Sequence, residues 1–97
     1  MPERRIFRSP AADQDLIDIW LHIASDSKAA ADKVYARIVE RIFDLEDFSQ
    51  SGPQRLEIAA DVRSLTVMSY LILYRVEPDR IEIIRIIHGA RDLTSLL

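Results

Sequence analysis

One change of period divides the sequence at Gly52-Pro53. Before it, apolar residues recur at helical spacing. After it, they fall in short runs of β-favouring residues. A single domain of 97 residues with that order has few ways to bury both kinds of surface. Ser9-Pro10 reads as a helix start, a serine N-cap followed by proline at the first helical position. Asp13 and Asp15 lie near that end, where the helix dipole favours anions. Leu16, Ile19, Trp20 and Ile23 then make one stripe, which places Trp20 in the core. The helix is expected to end near Ser25-Asp26-Ser27, with Asp26 or Ser27 capping a second helix. The stripe of that helix is Ala31, Val34, Ile38, Ile42 and Leu45, with Tyr35 alongside. So short a joint predicts a helical hairpin.

Beyond Pro53, Leu56, Ile58 and Val62 to Leu65 suggest a strand. Tyr70 to Val76 is a clear one, and Ile81 to Ile87 is the most apolar and is expected at the centre of the sheet. Glu77-Pro78-Asp79-Arg80 is a turn. Thr66 to Ser69 must turn as well, although it contains no glycine. Arg4 to Arg8 alternates weakly and predicts a short first strand. The expected fold is α+β in two layers: an N-terminal strand, a helical hairpin, then a three-stranded antiparallel sheet, all in one domain over residues 1–97. Isoleucines occupy both alternating sets of the last strand, so the sequence leaves open which face meets the helices.

Composition excludes several functions. No cysteine is present, so disulfides and thiolate metal sites are ruled out, and no metal or cofactor is expected. The net charge is −3, which gives no support for direct DNA binding. No apolar stretch approaches the ~20 residues that span a bilayer, and Met1 to Arg8 hold no signal-like apolar run, so a cytoplasmic chain is expected. Eleven arginines stand against two lysines. Arginine suits fixed, planar pairing, and Arg63, Arg75 and Arg85 on the strands could grip a partner or form ordinary cross-strand pairs.

Three segments carry a resemblance. They are Asp15-Leu-Ile-Asp-Ile-Trp-Leu-His-Ile-Ala24 on the first helix, Arg63 followed by Tyr70-Leu-Ile-Leu-Tyr74, and Ile84-Arg-Ile-Ile-His-Gly-Ala-Arg-Asp92. In this order and spacing the chain resembles the ParE/RelE toxin superfamily, and most closely its ParE branch. The resemblance implies the toxin of a type II toxin–antitoxin pair. Such a toxin is masked by a ParD-like antitoxin, a DNA-binding dimer with an extended C-terminal segment, so that two toxins on one antitoxin dimer are expected. ParE members act on DNA gyrase, whereas RelE members cut messenger RNA on the ribosome.

RNA cleavage of the RelE kind requires a base, an acid and charge stabilisation at the phosphate. His88, Arg85, Arg63 and Arg91 could supply parts of that set. RelE-like nucleases bring a C-terminal tyrosine or a histidine-tyrosine pair, but here Gly89 follows His88 with nothing aromatic after it, and both lysines, Lys28 and Lys33, sit around the start of the second helix. No catalytic residue is therefore expected, and His88 reads as a strand exit followed by the turn at Gly89. Arg63, Arg75 and Arg85, together with Leu93, Leu96 and Leu97 of the apolar tail, are the expected partner-binding residues. The acidic group Asp44, Glu46 and Asp47 reads as a solvated helix end.

Overall fold

The computed structural model describes residues 5–89. The elements run β1 (Arg5–Arg8), α1 (Pro10–Ala24), α2 (Lys28–Asp44), β2 (Val62–Val67), β3 (Tyr70–Val76) and β4 (Arg80–His88). Both helix starts are capped by serine. Ser9 Oγ accepts from the Ala12 N–H, and Ser27 Oγ accepts from the Ala30 N–H. The two helices pack on each other and α1 packs on β4, which makes the two layers.

The sheet order is β1-β4-β3-β2. β2, β3 and β4 are antiparallel neighbours, and β1 adds a fourth strand, parallel to β4, with Arg5 opposite Arg80 and Arg8 opposite Ile83. The three-stranded antiparallel expectation therefore describes only part of a four-stranded mixed sheet. The two helices supply the crossover that a parallel pair requires.

The main core joins Ala12 and Leu16 of α1 and Ile38, Ile42 and Leu45 of the α2 region to Leu65, Val67, Ile72, Tyr74, Ile81, Ile83 and Ile86 of the sheet. A smaller cluster of Val62, Leu71, Leu73 and Ile87 lies on the other sheet face, under Ile58 and Ala59. β3 is thus buried on both faces, and Leu71 to Tyr74 are all apolar and buried.

Two isoleucine sets in β4 have a specific cause. Leu73 pairs with Arg85, but Tyr74 pairs with Ile83, so Ile84 is an extra residue, a β-bulge. Without it, Arg85 would share the face of Ile81 and Ile83 beneath the helices. The bulge shifts the phase, so that Ile86 enters the core and Arg85 is redirected.

Three local expectations change. Trp20 is half-buried and outside the core, its Nε1–H donating to Asp32 Oδ1 at 2.8 Å. The indole needs a polar partner, and an acid on α2 provides one. Leu56 is 68% exposed, and the strand begins only at Val62. The glycine-free turn exists, with Met68 in the left-handed region at φ 55°. Among the described residues no helix is long and apolar enough to cross a membrane.

Candidate functional site: an α1–β4 clasp and groove

β1 ends at Arg8, but β4 continues to His88. Past that point the main-chain groups on the outer edge of β4 need other partners. The start of α1 supplies them. The Ser9 N–H donates to the Ile83 carbonyl at 2.9 Å, and Ser9 Oγ donates to the Ile84 carbonyl at 2.7 Å. Six residues further on, Asp15 Oδ2 accepts the Ile86 N–H at 2.9 Å. The same carboxylate holds Arg85 in a two-pronged contact, Nε to Oδ2 at 2.8 Å and one terminal nitrogen to Oδ1 at 3.0 Å. The side chains are only 13% and 23% exposed for Asp15 and Arg85. The hydrogen bonds that Arg85 donates to Asp15 hold its guanidinium above its ordinary range, against the opposing effect of burial. Asp15 thus closes the open edge of the sheet, although in the sequence it reads only as a dipole-favoured acid.

The other expected site residues are dispersed. Arg63 donates to the Gly52 carbonyl at 2.8 Å, and the Gly52 N–H donates to the Tyr74 hydroxyl at 3.0 Å. A Cβ at Gly52 would lie 2.2 Å from the Ser64 carbonyl oxygen, so glycine is required there. Arg75 lies 2.7 Å from Asp61 and 3.6 Å from Glu82, its cross-strand neighbour. The His88 ring meets the Tyr70 ring edge-on, with centroids 5.6 Å apart. Arg63 lies opposite Tyr74 and His88 opposite Tyr70, which puts their Cα atoms roughly 16 Å apart by strand geometry. Arg91, Leu93, Leu96 and Leu97 lie outside the described residues. Within the described residues no group of three or more His, Asp or Glu side chains is arranged to hold a metal ion.

Beside the clasp, a groove of about 650 Å³ opens between α1 and the ends of β3 and β4. Ile19 and Ile23 of α1, Val34 of α2 and Ile86 of β4 supply its apolar surface. Asp18 and His22 line it from α1, and Met68 and Ser69 from the β2–β3 turn. Asp18 accepts a hydrogen bond from the Gln14 amide at 2.9 Å. Met68 is 54% exposed. A second groove, of about 390 Å³, runs between β1 and α2 and includes Arg8, Tyr35, Phe43 and Glu46. Sequence reasoning missed Asp18 and Met68 as surface features. The spacing of Asp18 and His22 on one helical turn was the one available signal.

Comparison with known proteins agrees with this architecture. A chromosomal ParDE toxin–antitoxin system from P. aeruginosa contains a chain that superposes with a TM-score of 0.77 at 26% identity, over 89% of this chain and 96% of that one. The RelBE2 toxin–antitoxin complex from Mycobacterium tuberculosis contains one with a TM-score of 0.66 at 21% identity, over 89% and 98%, a likeness of fold alone. No curated protein matches the sequence. Residues 6–93 match the family model described as the ParE toxin of the type II toxin–antitoxin system parDE. The clasped α+β sheet and this match over most of the chain lead to one assignment: the chain belongs to the ParE toxin family.

Proposed function

We propose that the chain poisons its target by binding rather than by catalysis, that the target is DNA gyrase, and that a ParD-like antitoxin masks it. The observation that carries this reading is the internal engagement of the cations a nuclease would require. Arg85 is held by Asp15, Arg63 donates to the Gly52 carbonyl, and His88 stands roughly 16 Å from Arg63 by strand geometry. Base, acid and phosphate-binding group do not converge among the described residues, which supports binding over cleavage. Family membership and the ParDE neighbour support the toxin–antitoxin pairing.

Neutralisation follows from surface burial. An antitoxin segment that folds on the toxin can bury on the order of 1,000–3,000 Å². A symmetric antitoxin dimer presents two such segments and so carries two toxins. The second reading, a ribosome-dependent ribonuclease of RelE type, draws on the RelBE2 chain that shares this fold.

Purified chain added to gyrase and relaxed plasmid separates the two. Loss of supercoiling that is reversed by antitoxin, with transcripts on programmed ribosomes left whole, is the expected result. Cut transcripts with supercoiling unaffected would replace the binding reading with the nuclease one.

A further inference from the structure

We infer that the groove between β1 and α2 is the face the toxin turns to its target, and that it takes a cationic side chain, arginine or lysine, from a DNA-binding surface. The inference rests on gyrase being the target, as proposed above, and adds where on the toxin that contact lies and what it recognises.

The apolar surface comes first. Tyr35, Val39 and Phe43 follow one another four residues apart along α2, so the two rings stand two turns, roughly 12 Å, apart on one side of the helix. With Ile6 of β1 they line a space of about 390 Å³. Phe43 is 63% exposed and Tyr35 41%. Aromatic rings left in water along a concave space are the usual anchors of a contact surface. Val34, next to Tyr35 in sequence, lines the other groove, because successive residues of a helix point about 100° apart. The two grooves therefore open on different sides of α2.

Charge selects the occupant. Among the described residues one cation and one anion line this groove, Arg8 and Glu46. Arg8 is paired with Asp13 of α1 at 2.9 Å. Glu46 lies one turn beyond Phe43, its N–H donating to the Phe43 carbonyl at 3.1 Å. Its carboxylate has no partner among the described residues. A carboxylate and two ring faces together suit a cation, which answers the charge and is drawn to the π electrons of a ring.

A second copy of the chain does not supply that cation. Packed on the same face it brings only an Arg8 already held by Asp13. An enzyme that holds DNA does supply it, because it neutralises phosphates with lysine and arginine. The net charge of −3 on the toxin favours the same encounter.

The test uses the full chain, gyrase with relaxed plasmid, and the antitoxin encoded beside the toxin gene. Wild type, Phe43→Ser and Glu46→Lys are compared, with Ile17→Ser on α1 as the control. All three positions are exposed, and thermal melts establish that each variant remains folded. The toxin concentration that halves supercoiling should rise tenfold or more for Phe43→Ser and Glu46→Lys and stay within twofold for Ile17→Ser. Antitoxin affinity by calorimetry should stay within twofold for all, and sedimentation should show a monomer. Unchanged inhibition in the two groove variants, or an equal loss in Ile17→Ser, overturns the inference while leaving gyrase as the target. A matching loss of antitoxin affinity assigns the face to the antitoxin, and a wild-type dimer that both variants break assigns it to a second copy; either overturns the inference as well. A wild-type chain that leaves supercoiling untouched overturns both the face and the target.

Discussion

Replacing Asp15 by alanine removes one carboxylate that accepts three hydrogen bonds, two from Arg85 and one from the Ile86 N–H. Three independent charge-assisted bonds would total roughly 5–9 kcal/mol. They share one acceptor group, so the better ceiling is the roughly 3–5 kcal/mol lost when a buried pair is broken. Arg85 keeps a 23% exposed side chain, and water recovers part of that loss. About 3 kcal/mol remains, which for a domain of this size lowers Tm by roughly 12–24 °C. Asp15→Asn retains one acceptor and should cost about half as much. Arg85→Ala spares the Ile86 bond, so a double-mutant cycle between Asp15 and Arg85 should return a coupling of about 1–2 kcal/mol. Urea unfolding followed by dichroism gives all four values. A cost below about 1 kcal/mol for Asp15→Ala, or strict additivity in the cycle, would show that the clasp does not hold α1 to the sheet.

Gly52→Ala should cost about 3 kcal/mol or abolish folding, because its Cβ would meet the Ser64 backbone oxygen, and urea midpoints will show it. Tyr74→Phe leaves the buried Gly52 N–H without its acceptor and should lower stability by about 1–2 kcal/mol in the same assay. Met68→Gly relieves a left-handed residue and should raise stability by about 0.5–1 kcal/mol, readable as a higher urea midpoint. The side-chain hydrogen bond from Arg55 holds the Glu57 carboxyl below its ordinary 4.5. The stability it lends is present above that value and is lost as pH falls through the lowered one. A carbon-detected NMR titration should find the depression, and Arg55→Gln should remove it.

Local chemistry made much of the fold legible. Ser9-Pro10 and Ser27 announced both helices, and the stripe Ala31, Ile38, Ile42 and Leu45 announced the buried face of the second. Aromatic and β-branched density marked β3 and β4. The remainder depends on contacts distant in sequence. Whether four residues at the N-terminus join a sheet, and beside which strand, is decided by β4 some 75 positions away. Trp20 followed its helical spacing on paper, but the polar edge of its ring is drawn to Asp32 on the neighbouring helix. Met68 carries a turn that normally advertises itself with glycine, and the hairpin imposes the conformation. At the site, Arg85 was visible as a strand arginine. Its partner was not, because the bulge at Ile84 that redirects it leaves no mark in a run of isoleucines.

Toxicity through binding makes one demand above all: each toxin molecule can silence no more than one target. Titrating pure chain against a fixed amount of gyrase, with transcripts on programmed ribosomes in parallel, counts the events directly. Supercoiling should fall in proportion to added toxin and stop near equivalence, with no transcript shortened. Many transcripts severed per toxin molecule would contradict a non-catalytic mechanism outright.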